Sequence, residues 1–334
     1  MPNCSVRASK QVFTVYVGLT ASGYDMARPG RNKAVRRLVR AIRETAWPEE
    51  VVTYFRRART GGCAVNPYWP RAFLLTLASL YLPESPPYRY ADPDLISRHI
   101  QNLDAVSPAD KGPDTLRWVL DLPGVYETLW AQPVLQALWN LYEASINPPQ
   151  CERAASEAVS TILERTGASP GQLPCIVILP NPLQAPELTD SVILGGKLHL
   201  IKANPDAASC IHEILHHLLS PAIWQSRPIV DEFSYLLEPV RADMLRMGYA
   251  WDNAKESWRR VFEEHLMRAA EIWMTCGDDP GSAERAAASQ ARYGFKYVPA
   301  ILGCLQSSWS GIAEVESFII RCLHACRKRG TPED

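Results

Sequence analysis

The sequence predicts an α+β fold that is predominantly helical. Apolar residues recur at i, i+3, i+4 and i+7 spacing, as in Val35, Leu38, Val39 and Ile42. Runs of strand character are few: residues 12–17, 174–180 and 191–201. They do not alternate regularly with helical stretches, an order that points to α+β.

In chain order, residues 12–17 read as a first strand. Helices are expected near 31–45, 48–59, 69–82, 94–106 and 113–146. Pro48 suits a helix opener, and Pro133 should kink or split the last of these. Pro83, Pro86, Pro87 and Pro93 form a stiff connector. Asn147-Pro148-Pro149 is the best boundary between a mostly helical region, 1–149, and a catalytic region, 150–334. A helix near 151–166 precedes the two later strand runs, which form a small sheet. The early strand is a candidate to join that sheet, which would make the two regions one unit. Gly195-Gly196 marks a bulge or a turn. Helices fill the remainder from 205 to 328.

The 334 residues suffice for one large or two ordinary domains. A formal net charge of −1 argues against a general polyanion binder, so nucleic acid is not an expected partner. Arg28, Arg31, Lys33, Arg36, Arg37, Arg40 and Arg43 crowd one segment. They read as the solvated face of a docked helix. No run reaches the 18 apolar residues of a membrane span, and no secretory signal is visible. Nine cysteines without a C-x-x-C pair suggest a reducing, cytoplasmic setting. Cys322, His324 and Cys326 look like metal ligands. On a helix, however, His324 points about 160° away from either cysteine, from a turn of 3.6 residues.

The most specific feature is His212-Glu213-Ile214-Leu215-His216, an H-E-x-x-H motif. Histidines four apart share one helix face, so both can reach one Zn²⁺. Glu213 would then serve as general base toward a water on the ion. The surroundings read as a buried helix, with Asn204 as N-cap, Pro205 at the first position and Asp206 in the first turn. Ser220-Pro221 marks its expected end. His217 is turned about 100° from His216 and serves as a neighbour rather than a ligand. His199 reads as a surface or sheet residue. The strand before this helix is placed either to pair within its sheet or to offer an edge to an extended peptide.

A catalytic zinc site takes a third protein ligand. Residues 258–269 read as a helix, on which Val261, Glu264, Arg268 and Glu271 share a face. Glu264 points inward on this reading, with Arg268 one turn on to hold it, while Glu263 faces solvent. Glu238 and Glu271 stay open as alternative ligands. For stabilising an oxyanion, Tyr297, Tyr293, Tyr249 and His265 are candidates, and spacing selects none of them.

The H-E-x-x-H helix, followed some fifty residues later by Glu264-His265-Leu266-Met267-Arg268-Ala269, resembles gluzincin-type zinc metallopeptidases. More narrowly, it resembles a bacterial domain-of-unknown-function family with a predicted peptidase site. Gly23-Tyr24-Asp25, Val52-Thr53-Tyr54-Phe55 and Gly294-Phe295-Lys296-Tyr297-Val298 add looser similarity. The resemblance implies a zincin-like catalytic half, with His212, His216 and Glu264 as zinc ligands and Glu213 as base. Two departures stand out. Leu236 occupies the place where gluzincins commonly carry the ligand glutamate, and the metzincin extension is lacking. The expected function is a zinc-dependent peptidase acting on peptide or protein substrates. The alternative is a zinc-peptidase-like binding or regulatory protein without turnover; the retained Glu213 favours the enzyme.

Overall fold

Residues 12–17 form the middle of a helix, not the expected strand. In the structure, a computed structural model, α1 (Lys10–Ala21) is capped by the Ser9 hydroxyl, which accepts from the Val12 N–H at 3.2 Å. Val12, Phe13, Val15, Val17 and Leu19 are all fully buried. A short apolar run buried on every side carries no periodicity that separates helix from strand. Packing then overrides the β preference of its branched residues.

The structure describes residues 4–28, 30, 32–60, 69–103, 106–251, 253–277 and 279–330. Arg31 and residues 104 and 105 of the expected helix 94–106 lie outside them. The chain divides into two compact units, one of residues 4–152 and 176–205, the other of 153–175 and 206 onward. The sheet segment 176–205 thus groups with the N-terminal part of the chain rather than with the motif helix.

The first unit opens with strand β1 (Cys4–Val6) and α1. It continues through α2 (Lys33–Glu44), α3 (Glu49–Arg56), α4 (Ala72–Ser79), α5 (Pro93–Gln101), α6 (Pro113–Leu120), α7 (Leu122–Trp130) and α8 (Val134–Glu143). The long helix expected over 113–146 is therefore split in three, with one break at Pro133 as its missing N–H requires. On α2, Val35, Leu38, Val39 and Ile42 are buried while Lys33, Arg36, Arg37, Arg40 and Arg43 are exposed, the docked amphipathic helix its spacing predicts. α9 (Pro148–Thr166) follows, and from Arg153 it belongs to the second unit.

Strands β2 (Cys175–Pro180), β3 (Thr189–Leu194) and β4 (Lys197–Lys202) complete a mixed sheet in the order β1-β2-β4-β3. β1 pairs parallel to β2, with Cys4 opposite Ile176. β3 and β4 form an antiparallel hairpin. Gly195 and Gly196 turn it with φ of +56° and +72°, a conformation that suits glycine. The single strand expected over 191–201 is therefore two strands. β4, which precedes the motif helix, is interior to the sheet, so it has no edge to offer a peptide. His199 lies on β4 opposite Val192 and is buried, so it is a sheet residue and not a surface one.

An aromatic cluster closes the first core. Phe13 packs edge-on against Trp139, and the Tyr142 hydroxyl donates to the Pro180 carbonyl at 2.7 Å. Tyr54 and Trp118 exchange hydrogen bonds with each other's backbone carbonyls.

The second unit is helical: α10 (Ala207–Gln225), α11 (Arg227–Glu232), α12 (Arg241–Met247), α13 (Ala254–Cys276), α14 (Pro280–Tyr293), α15 (Val298–Ser308) and α16 (Val315–Gly330). α13 packs against both α10 and α15, and α15 against α16. Leu215, Val261, Phe262, Leu266, Ile301 and Phe318 are fully or almost fully buried here. No helix among the described residues is long and apolar enough to cross a membrane.

Gly18 shows how tightly the first core is filled. A Cβ added there would stand 2.2 Å from Cε2 of the fully buried Phe55 ring. Gly18→Ala should lower stability by about 1–3 kcal/mol through overpacking, despite alanine's better helix propensity. Denaturant unfolding of Gly18→Ala, Phe55→Leu and the double variant checks this. The double variant should recover part of the loss, and strictly additive effects would show that the two sites do not meet.

Candidate metal centre

The motif helix starts later and runs further than its sequence suggests. Asp206, not Asn204, is the N-cap of α10: its carboxylate accepts from the Ser209 N–H at 2.8 Å, and the Ser209 hydroxyl accepts from the Asp206 N–H at 3.2 Å. Pro221 does not end the helix, which continues to Gln225 with Ala222 and Ile223 buried. The ring costs one backbone hydrogen bond, and burial of the last turn offsets it. Helix α13 is capped by Asn253, whose side chain accepts from the Lys255 and Glu256 N–H groups.

These two helices bring His212, His216 and Glu264 together. The two Nε2 atoms are 3.3 Å apart, and Glu264 places Oε1 3.7 Å from one and Oε2 3.6 Å from the other. One donor atom from each residue lies within 4.8 Å of the other two. Bonds of about 2.0–2.1 Å to a tetrahedral ion set neighbouring donors roughly 3.3 Å apart. The three side chains fit a single ion of that size, and among the described residues they form the one such group.

The other nitrogen of each ring is also engaged. His212 Nδ1 is 3.0 Å from Glu271 Oε2, and His216 Nδ1 is 2.9 Å from Glu263 Oε1. A carboxylate only accepts, so these bonds place hydrogen on Nδ1 and leave Nε2 as the ring atom turned toward Glu264. This carboxylate–histidine arrangement is the one that orients imidazoles at metal sites. Glu263 also accepts from the Ser220 hydroxyl. Its expected exposure to solvent is therefore overturned: its side chain is 13% exposed. The signal was available in α13, whose buried residues include Trp258, Phe262 and Leu266 as well as Val261, so the inward face is wider than one stripe. Glu271, an alternative ligand by sequence, stands behind His212. Glu238 pairs with Arg241 at 2.7 Å and supplies no atom to the donor group.

Glu264 is itself held from behind. Arg268, one turn along α13, donates to its Oε1 at 2.7 Å. The same guanidinium donates to the Tyr249 hydroxyl and lies 4.0 Å over the Phe295 ring. Burial works to push the Glu264 carboxyl up, but the Arg268 charge and the two histidines hold it well below the usual range. For His216, burial opposes a charged ring. The bonds to Glu263 and Glu264 prevail and raise it to about 10. The cluster thus favours positive charge between its carboxylates.

Glu213 is half-buried and, adjacent to His212, is turned about 100° from it around the helix. It supplies no atom to the donor group. Tyr297 is committed elsewhere: its hydroxyl donates to the Leu236 carbonyl at 2.7 Å, and burial raises its ionisation well above the ordinary tyrosine range. Tyr293 is 68% exposed. His265 is fully buried with Nδ1 bonded to the Val261 carbonyl. Of the sequence candidates, Tyr249 is the one tied to the cluster, through Arg268.

No protein-family model, curated protein or solved structure matches the chain.

The Tyr297 geometry makes a sharp expectation. Tyr297→Phe should lower stability by about 1–2 kcal/mol, because the Leu236 carbonyl loses its partner. Metal uptake should be unchanged. Thermal unfolding and metal titration of the variant check both halves; weakened uptake at unaltered stability would give Tyr297 a role at the site.

Proposed function

We propose that this protein is a zinc-dependent hydrolase, most specifically a peptidase with a zincin-like pairing of α10 and α13. The observation that carries the reading is the convergence of His212 Nε2, His216 Nε2 and Glu264 from two helices, with Glu213 beside the first histidine. Two imidazoles and a carboxylate are a donor set suited to Zn²⁺. Zn²⁺ held by these three residues would supply Lewis acidity for activating water.

In this reading the chain's own residues divide the remaining work. Glu271 and Glu263 hold the imidazoles in the tautomer that presents Nε2. Arg268 fixes the Glu264 carboxylate and balances part of its charge. Glu213 accepts the proton of the attacking water and delivers it to the leaving amine. The similarity to gluzincins supports the same assignment, with the ligand glutamate further along the chain than in their common spacing.

Purified protein should carry close to one Zn²⁺ per chain by elemental analysis, and His212→Ala or His216→Ala should lose it. Zinc-free protein that takes up none on titration would end the proposal. The neighbouring glutamates give a graded test. Glu264→Ala should abolish tight binding, whereas Glu263→Gln and Glu271→Gln should weaken it by about 10–100-fold, the range expected of groups that orient ligands. Equal affinity of the Glu264→Ala variant and wild type would move the third ligand elsewhere.

Catalysis is tested separately. Glu213→Gln should keep zinc and fold yet lose peptide-library cleavage by several orders of magnitude, since it removes the proton acceptor and leaves the ligands intact. Zinc-loaded wild type that cleaves nothing in the library would favour the binding or regulatory reading.

A further inference from the structure

Three partly buried arginines lie along α13, and two of them face carboxylates. Arg268 holds Glu264 at 2.7 Å. Arg259 grips Asp231 through two bonds of 2.6 and 2.5 Å. Among the described residues no hydrogen bond or ion pair holds Arg260, which stands one turn before Glu264. Its Nε is buried without a partner, whereas its terminal nitrogens are not closed off in this way. A guanidinium taken partly out of water with no anion facing it is a costly arrangement.

Two aromatic rings fix this cation in place. Arg260 Cζ lies 5.6 Å from the ring centre of Tyr249 and 5.6 Å from that of Trp251. Trp251 is pinned to the start of α13. Its N–H donates to the Ser257 hydroxyl at 2.8 Å, and that hydroxyl donates to the Trp251 carbonyl at 2.7 Å. Tyr249 ties the group to the metal centre, because its hydroxyl accepts from Arg268, which also holds Glu264. An arginine stacked on rings keeps its donors in a fixed fork, so less freedom is lost when a carboxylate docks. Four helical residues separate Arg260 from Glu264, a rise of about 6 Å. An extended peptide covers that distance in about two residues.

We propose that Arg260, backed by Tyr249 and Trp251, is a subsite that takes a carboxylate of the peptide substrate, about two residues from the bond cleaved. The assignment rests on the peptidase reading of the metal centre. Carboxylates are the anions an unmodified peptide carries. They reach the fork from two sources, a free C-terminus or an acidic side chain. Either matches the planar guanidinium through paired N–H···O bonds. Arg268 is not available for this, since Glu264, Tyr249 and Gln290 already engage its terminal nitrogens.

The test is calorimetric titration of the full chain as purified, with Glu213→Gln protein as a background that does not cleave. Three acetylated tetrapeptides are the probes: tetra-alanine with a free C-terminal carboxylate, the same peptide as its amide, and an amide carrying one internal glutamate. At least one charged peptide should bind about 10-fold or more tightly than the neutral amide at low salt, and which one does identifies the source. Arg260→Gln should abolish the preference. Arg260→Lys, which keeps the charge and loses the fork, should retain part of it. Equal affinity of the wild type for all three peptides overturns the proposal, and this comparison needs no variant to fold. So does a preference that survives in Arg260→Gln. Zinc-free protein that keeps an Arg260-dependent preference would sink the peptidase reading and leave the anion subsite standing. Zinc-loaded protein that cleaves peptides without the preference would sink the subsite alone.

Discussion

The contact between α10 and α13 is governed by charge. Glu263, Glu264 and Glu271 all turn toward two histidines on the opposing helix, and Glu263 and Glu264 do so with little exposure to water. A buried carboxylate costs several kcal/mol unless something positive or a hydrogen-bond donor faces it. Arg268 and Ser220 meet part of this demand. The rest falls on the imidazoles, which must either hold protons or share a cation. The first condition is what raises His216, and the second exchanges that proton for an ion. Metal affinity in such a cluster is inseparable from proton affinity. The helix packing has to hold the carboxylates in place under either condition.

That packing is rigid by construction. Every donor sits on a helix longer than four turns, and none sits on a loop. α13 packs against both α10 and α15, and Leu215, Val261, Phe262, Leu266 and Ile301 of these helices are fully buried. The aromatic core around Phe13, Trp139 and Tyr142 belongs to the other unit. It gives the sheet and its surrounding helices a separate source of stability.

The sequence was legible where a spacing has one geometric meaning. Histidines four apart had to share a face, and Val261, Glu264 and Arg268 had to follow one another along another. The amphipathic α2 was readable for the same reason. Legibility failed where burial is uniform. α1 is apolar on all sides, so its β-branched residues suggested a strand that packing did not make. Glu263 reads as solvent-facing if one stripe of α13 is the interior, whereas most of that helix's circumference is buried. Pro221 is a strong local stop signal, and tertiary burial outweighs it at the end of α10. The hairpin hidden in residues 191–201 turned on two glycines whose positive φ cannot be told from a bulge by composition. Tyr297 was one of several equivalent tyrosines, and only its bond to Leu236 distinguishes it.

Pro221 and Glu263 are connected in a further way. The proline leaves the His217 carbonyl without its usual helical partner, so α10 is weakest in the turn that follows His216. Glu263 reaches across from α13 to His216 and to Ser220, residues that bracket this turn. One carboxylate therefore serves as a splint over the weak point and as the guide for a ring nitrogen. Shortening it to aspartate would preserve charge and chemistry yet give up reach, so that the helix and the histidine would loosen together. The architecture demands both reach and charge at this position.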